Sequence, residues 1–467
     1  MPPNGQLSQS GKPAPKSDFS PFCNPKHQVH HHPCFLRPPP TIFSLTVQYS
    51  QTNMNEWLLV GVVWCFSWVV WIRHPRMSDS HLDWTLLGSD LTALILSHLP
   101  IASIIRASAV CKLWRSIIST PFFSNLLSTS AHHHPWFFLL GQSNILLKNN
   151  QSFAFDPDSN LWLSLPPSLL FPPPHYHHHS LIGSNGLVLS TTSSSRFLFS
   201  PILSKSWHLT SPLRFPRSNP LVGVFSDGSG STKFIVVGGV RFIGGLVDIE
   251  DRLDVEIYTP NLDAWELCPP LPVDFRSGNS SQWLCSALYK GKFYVFGIYS
   301  CFISAFHLTK HFWTEVQTLR PPGVSFSFLI ACRDQLVLAG LCNSPRGPSV
   351  NLWRVDEETM EFSEIAIMPQ DLLYKLFDGY GDDKFASLKC VGLGNLIYVF
   401  NEEYHKSYPA CVCEINSGTG KCSWRRIPHL PKPVNQFHKV ISFCSTIPLG
   451  NILRIGEEEI GAWSTCL

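Results

Sequence analysis

The 467-residue chain is long enough for several domains, or for one large domain and a small one. Hydrophobic residues make up 44% and charged residues 15%, which excludes a mostly disordered chain, and a net charge of +2 offers no field for nucleic acid or an anionic membrane. Aromatic residues at 12% together with 38 prolines favour β-strands joined by many turns over long helices. The 15 cysteines are odd in number and scattered, so the thiols are read as reduced and the compartment as cytoplasmic or nuclear. Cys411 and Cys413 form a C-x-C pair with no second pair at zinc-site spacing, and no metal is assigned to them.

Residues 1–53 are rich in Pro, Ser, Gln, Asn and His and show neither helical nor strand period, so they read as disordered. The run "WLLVGVVWCFSWVVWI" at 57–72 has 16 uncharged residues, short of the roughly 17–20 that a bilayer span needs. Three readings compete. One is a signal-anchor helix, with Arg73 and Arg76 keeping all that follows in the cytosol. Another is a helix buried against the rest of the protein. The third is upstream sequence joined to the reading frame, with Met77 as the working start. The abrupt change in composition favours the third. A membrane attachment through 57–72 stays open beside it, and 1–76 is set apart as an N-terminal extension.

From 84 to 127 the apolar period is helical. Ser89 or Asp90 can cap a helix whose apolar face is Leu91, Leu94, Ile95 and Leu99, and Pro100 stops it. A second run, from Ile104 through Val110, Leu113 and Trp114 to Ile118, ends at Pro121. So small a module buries little surface alone. It also carries more apolar residues than one face uses, which points to a helical hairpin packed on a neighbour or to a partner.

These residues resemble the F-box. Its pattern is roughly Leu-Pro-x-Asp-Leu, Ile-Leu-x-x-Leu-Pro, Val-Cys-Lys-x-Trp-Arg and Pro-x-Phe. The chain supplies Leu87-Gly88-Ser89-Asp90-Leu91, Ile95-Leu96-Ser97-His98-Leu99-Pro100, Val110-Cys111-Lys112-Leu113-Trp114-Arg115 and Pro121-Phe122-Phe123. Gly88 departs from the usual proline and loosens the start of the first helix. The resemblance implies docking on the Skp-type adaptor, and through it the cullin, of an SCF (Skp–cullin–F-box) ubiquitin ligase. Leu87, Leu91, Ile95, Leu99, Pro100, Val110 and Trp114 are the positions carried over as adaptor-facing or as immediate support.

Past residue 130 the period falls to 2, and a unit recurs: "FDPDSNLWLSLPP", "FSPILSKSWHLTSPL", "YTPNLDAWELCPPLP", "FHLTKHFWTEVQTLRPP", "WRVDEETMEFSEIAIMP" and "CEINSGTGKCSWRRIPHLP". Each runs from a strand through a polar turn to an aromatic anchor: Trp162, Trp207, Trp265, Trp313, Phe362 and Trp424, spaced 45–62 residues apart. Upstream of each lies a short apolar run, in most copies touching glycine, such as "FIVVGG" or "GKFYVFG". Such runs suit strands covered on both faces, and glycine after them permits the positive φ of a tight turn. Four strands per copy cannot bury both faces of a sheet alone, and stacking copies around an axis solves that. The spacing lies near the roughly 50-residue kelch period, and the units resemble kelch repeats, with only Gly238-Gly239 keeping that family's double glycine. The expected fold is mixed: a small all-α F-box module at 84–127, then an all-β kelch-type propeller of about six blades at 134–455. Residues 438–450 are expected to give the strand that closes the ring, and the aromatic anchors to pack between blades.

No Ser/His/Asp set, phosphate loop or carboxylate pair stands out, so the chain is read as non-catalytic, without cofactor or metal. The tracts His132–His134 and His177–His179 read as solvated loops, because neighbouring strand residues point to opposite faces. F-box followed by kelch propeller is a plant arrangement and implies a substrate receptor for ubiquitination of a protein of unknown identity. The alternatives are a kelch scaffold that delivers no substrate, and a propeller oxidase using such residues as Tyr258, Tyr294 and Tyr398. The substrate-binding residues are unknown from sequence; the loops 226–232 and 374–385 are the candidates.

Overall fold

Gly88 opens the first helix, α1 (Gly88–Ser97), with φ +70° in the computed structural model. That left-handed value is closed to proline, whose ring holds φ near about −65°. The glycine that departs from the family pattern therefore matches its backbone, and Ser89 and Asp90, the expected caps, lie inside the helix. The structure describes residues 88–447 and Asn451, less short internal stretches such as 130–133, 249–253 and 404–408. Leu87 and the 57–72 run lie outside the described residues. The chain divides into Met1–Arg73 and His74–Leu467, and all that is described belongs to the second unit. Among the described residues no helix is long and apolar enough to cross a membrane.

Pro100 ends the reach of α1 as expected and then serves as N-cap of α2 (Ile101–Val110). The continuous second run expected to reach Ile118 instead breaks at Cys111. That residue is extended (φ −154°, ψ 161°), and its sulfur accepts the Trp114 amide at the start of α3 (Lys112–Ile118). Pro121 does more than end a helix: it opens α4 (Pro121–Thr129), with the Thr120 hydroxyl accepting the Phe123 amide at 3.1 Å. Proline suits a first helical turn, where its missing N–H removes no bond. Ala93, Leu96, Ile104, Ala107, Ile117, Ile118, Phe123 and Leu127 form the module's own core. Ile101 joins a different core, between the first two blades of the β-domain, with Ile105 packed beside it.

Six four-stranded antiparallel sheets follow, with a two-stranded hairpin (Arg241–Ile243 with Leu246–Asp248) inserted in the third. Counting outward from the axis, the first blade is Lys439–Ser445, Trp136–Gln142, Gln151–Asp156 and Leu161–Ser164. Blades two to six span 178–209, 221–268, 284–318, 324–367 and 388–426. The C-terminal strand pairs with the first N-terminal one from Trp136↔Ser445 to Gln142↔Lys439, so backbone hydrogen bonds close the ring as expected. The apolar runs are the second strands of the blades; Trp136–Gln142 and Leu396–Asn401 are buried at every position.

Glycine serves these runs in two ways. Only Gly238 and Gly239 follow a run with positive φ, +62° and +93°. Gly141 and Gly340 instead lie inside strands where a Cβ would stand 2.9 Å from Val434 Cγ1 and 3.0 Å from Ser327 Cβ. Close packing, not turn geometry, requires glycine there.

The five anchor tryptophans pack between blades, whereas the sixth anchor, Phe362, is exposed. Trp162 Nε1 donates to the Pro428 carbonyl at 2.9 Å, Trp265 Nε1 to Ser211 at 2.9 Å and Trp313 Nε1 to Pro269 at 3.1 Å. Each acceptor lies just past the outer strand of the preceding blade, so one indole stitches two sheets. Arg217 and Glu256, an ion pair the sequence did not suggest, have fully buried side chains 2.6 Å apart. The guanidinium also donates to the Gly238 and Asp254 carbonyls, and the carboxylate accepts the Arg214 and Phe215 amides. This pins the crossover between blades two and three.

Candidate functional site

Antiparallel blades sort their connections onto two faces. One carries the turns joining strands one to two and three to four; the other carries the two-to-three connections and the crossovers between blades. Six residues, 130–135, separate α4 from Trp136, a reach of roughly 20 Å. Trp136 starts its strand at the first face, so the helical module is tethered there.

On that module, Leu91 is 54% exposed and Val110 is 66% exposed. Ile95, Leu99, Pro100 and Trp114 are half-buried, and Leu99 and Trp114 pack onto the module's core. Leu94, Leu113 and Phe122 are also exposed and were missing from the sequence-derived set. Leu94 could have been found one turn after Leu91 on the same helix face, and Phe122 next to Pro121. Five large apolar side chains on so small a unit, in addition to a filled core, make a surface suited to a partner.

The two candidate loops separate. Residues 226–232 are a strand one-to-two turn of blade three, on the tethered face. Residues 374–385 belong to the crossover between blades five and six, on the opposite face. That opposite face also holds the sources of uneven repeat spacing: the hairpin in blade three, and helix α5 (Gln370–Tyr374) in the five-to-six crossover. It exposes Ile145, Leu146, Leu246, Trp283, Tyr299 and Phe437. Trp283, Tyr299 and Phe326 form a ladder with ring centroids 5.6 and 5.7 Å apart. Beside it lies a cleft of about 650 Å³ lined by Pro322, Gly323, Asn351, Glu364 and Gln370, where Glu364 accepts the Asn351 amide at 2.8 Å.

A central channel of about 700 Å³ is lined by the first strands, among them Ser184, Cys285, Lys290, Cys390 and Cys444. Among the described residues no histidine lines it. Tyr258, Tyr294 and Tyr398, the tyrosines of the oxidase alternative, lie instead in the packing between blades. Cys411 and Cys413 are wholly buried, and burial pushes the Cys411 thiol up to about 12. The eleven cysteines among the described residues are free.

The histidine tracts are not plain solvated loops. His134 is half-buried, and its Nδ1 bonds the Asp158 carboxylate, which raises its pKa above 6.5 against the opposing effect of burial. His178 and His179 open the first strand of blade two; His132, His133 and His177 lie outside the described residues.

An F-box domain model matches residues 84–125. F-box only protein 13 of Arabidopsis thaliana is 25% identical over 367 residues, 70% of this chain and 76% of its own length. The F-box/kelch-repeat protein At3g61590 of the same plant is 24% identical, over 68% of this chain and 79% of its own length. Another, At5g42360, is 22% identical over 65% and 69%. An F-box ahead of a six-bladed propeller, together with plant relatives that align along most of their length, supports a plant F-box/kelch family for the chain.

Proposed function

We propose that the chain is the substrate-recognition subunit of an SCF-type ubiquitin ligase, with the helical module docking a Skp-type adaptor that links it to the cullin. The observation that carries this is the exposed apolar surface of an otherwise well-packed F-box, with Leu91 and Val110 outermost. In this reading Leu87, Leu91 and Val110 contact the adaptor directly. Ile95, Leu99, Pro100 and Trp114, all half-buried, support those contacts, Leu99 and Trp114 from against the module's core. The target protein binds the propeller face opposite the tether, where the aromatic ladder and the cleft lie. The chain performs no bond chemistry; it contributes proximity between target lysines and a charged conjugating enzyme. That role belongs to the cytoplasm or nucleus.

The test is a pull-down of a purified Skp-type adaptor with the full chain. Leu91→Arg together with Val110→Arg should abolish capture, since each places an unpaired charge in an apolar interface. Far-ultraviolet circular dichroism should stay unchanged, because both side chains are exposed. Undiminished capture overturns the assignment. Capture by the parent chain without any protein stabilised on loss of the gene would favour a scaffold over a receptor.

A further inference from the structure

On the seam between blades three and four, three donors of different chemistry converge. Glu266 and Cys268 lie two apart on the outer strand Ala264–Cys268, so they share a face. His311 reaches them from the strand three-to-four turn of blade four. One donor atom from each of the three lies within 4.8 Å of the other two. His311 Nδ1 stands 3.1 Å from Glu266 Oε1. Cys268 is 5% exposed, and the Glu266 side chain is 55% exposed.

The geometry points to a divalent metal site of the zinc type at Glu266, Cys268 and His311, clasping blade three to blade four. The donor set argues for that ion. A thiolate and an imidazole with one carboxylate suit zinc, whereas magnesium and calcium take oxygen shells. Zinc bonds of about 2.0–2.3 Å place tetrahedral neighbours roughly 3.5 Å apart, so small side-chain rotations close the observed spacing. The exposed Glu266 side leaves a fourth position open to water.

The supports are rigid. His311 holds φ +53°, and its amide donates to the His307 carbonyl at 2.9 Å. Its ring stacks on Phe306 at 6.0 Å and 17°. Next to it Trp313 Nε1 bonds the Pro269 carbonyl at 3.1 Å, immediately after Cys268. A left-handed turn residue, held by its backbone hydrogen bond and the ring stack on Phe306, aims the imidazole at the neighbouring blade. The inference is independent of adaptor docking.

The experiment titrates cobalt(II), a spectroscopic stand-in for zinc, into the full chain kept reduced. A single equivalent should bind and give a thiolate-to-cobalt charge-transfer band in the near ultraviolet, and zinc should displace it. Cys268→Ser should remove the band, while Cys413→Ser should keep it. His311→Asn, which tolerates a positive φ but lacks the imidazole, should weaken binding by at least about tenfold. Glu266→Gln should weaken it as well. Zinc should raise the melting temperature of the parent chain and leave that of the His311→Asn variant where it was. No charge-transfer band in the parent chain, or a band that survives Cys268→Ser, overturns the site. So does equal affinity in a folded His311→Asn variant.

Discussion

Replacing Arg217 by methionine removes one half of a wholly buried ion pair in the propeller. Both partners are wholly buried, so the change leaves the Glu256 carboxylate without its counter-charge at 2.6 Å. It also strands the Gly238 and Asp254 carbonyls, which the guanidinium now satisfies. Breaking such a pair from one side costs about 3–5 kcal/mol. Glu256 retains the Arg214 and Phe215 amides at 2.9 and 3.3 Å, so its remaining hydrogen bonds blunt the loss without cancelling it. At about 2.1 cal/mol/K per residue, 1 kcal/mol in a propeller of this size corresponds to roughly 1.5 °C, so melting should fall by about 5–8 °C. Urea unfolding followed by tryptophan fluorescence gives the free energy. Glu256→Met alone should be as damaging, because it strands the Arg214 and Phe215 amides and removes the arginine's counter-charge. The double variant should be less unstable than the sum of the singles by about 2 kcal/mol or more, the coupling of a true pair. Arg217→Met within about 0.5 kcal/mol of the parent, the range of ordinary surface changes, would refute the reasoning.

Three further outcomes follow from the same packing. Gly183→Ala builds a Cβ 2.1 Å from Phe443 Cδ2 in the closing strand; it should cost about 1–3 kcal/mol in urea unfolding, and Phe443→Leu should recover part of that. Truncation after residue 438 removes Lys439–Ser445, the inner partner of Trp136–Gln142, and leaves that buried, largely apolar strand as an open edge; light scattering should show aggregation and proteolysis should speed up relative to the full chain. The Asp158 hydrogen bond raises His134, so the pair's stability is fully present below the unfolded value of 6.5 and is lost as pH rises through the raised folded value. Unfolding midpoints at about pH 6 and about pH 8 should differ less in Asp158→Asn than in the parent.

The local vocabulary of this protein was legible in its sequence. The change of period near residue 130 separated helices from strands, and the recurring aromatic after a polar turn gave six copies. The closing strand at 439–445 could be expected because six copies leave one sheet short of a strand. What failed locally was fine geometry. Cys111 breaks a helix that periodicity carried through it, because one extended residue whose sulfur caps the next helix leaves the apolar spacing almost unchanged. Glycines read as turn formers were in several cases spacers between packed sheets, which a linear pattern cannot distinguish.

The functional surface depended on the tertiary structure. Leu91 and Leu99 belong to the same motif, yet one faces solvent and the other lies against the module's core. The loops 226–232 and 374–385 both stand out in the sequence as connections between strands, and the blade topology sets them on opposite faces, with Leu376 and Phe377 of the second buried. Arg217 meets Glu256 across 39 residues, and His311 meets Glu266 across a blade boundary. The physical reason is common to all of these. Sequence period fixes which way a side chain points relative to its own strand or helix. Which distant side chain it meets is set by how whole sheets stack around the axis, and no local pattern records that.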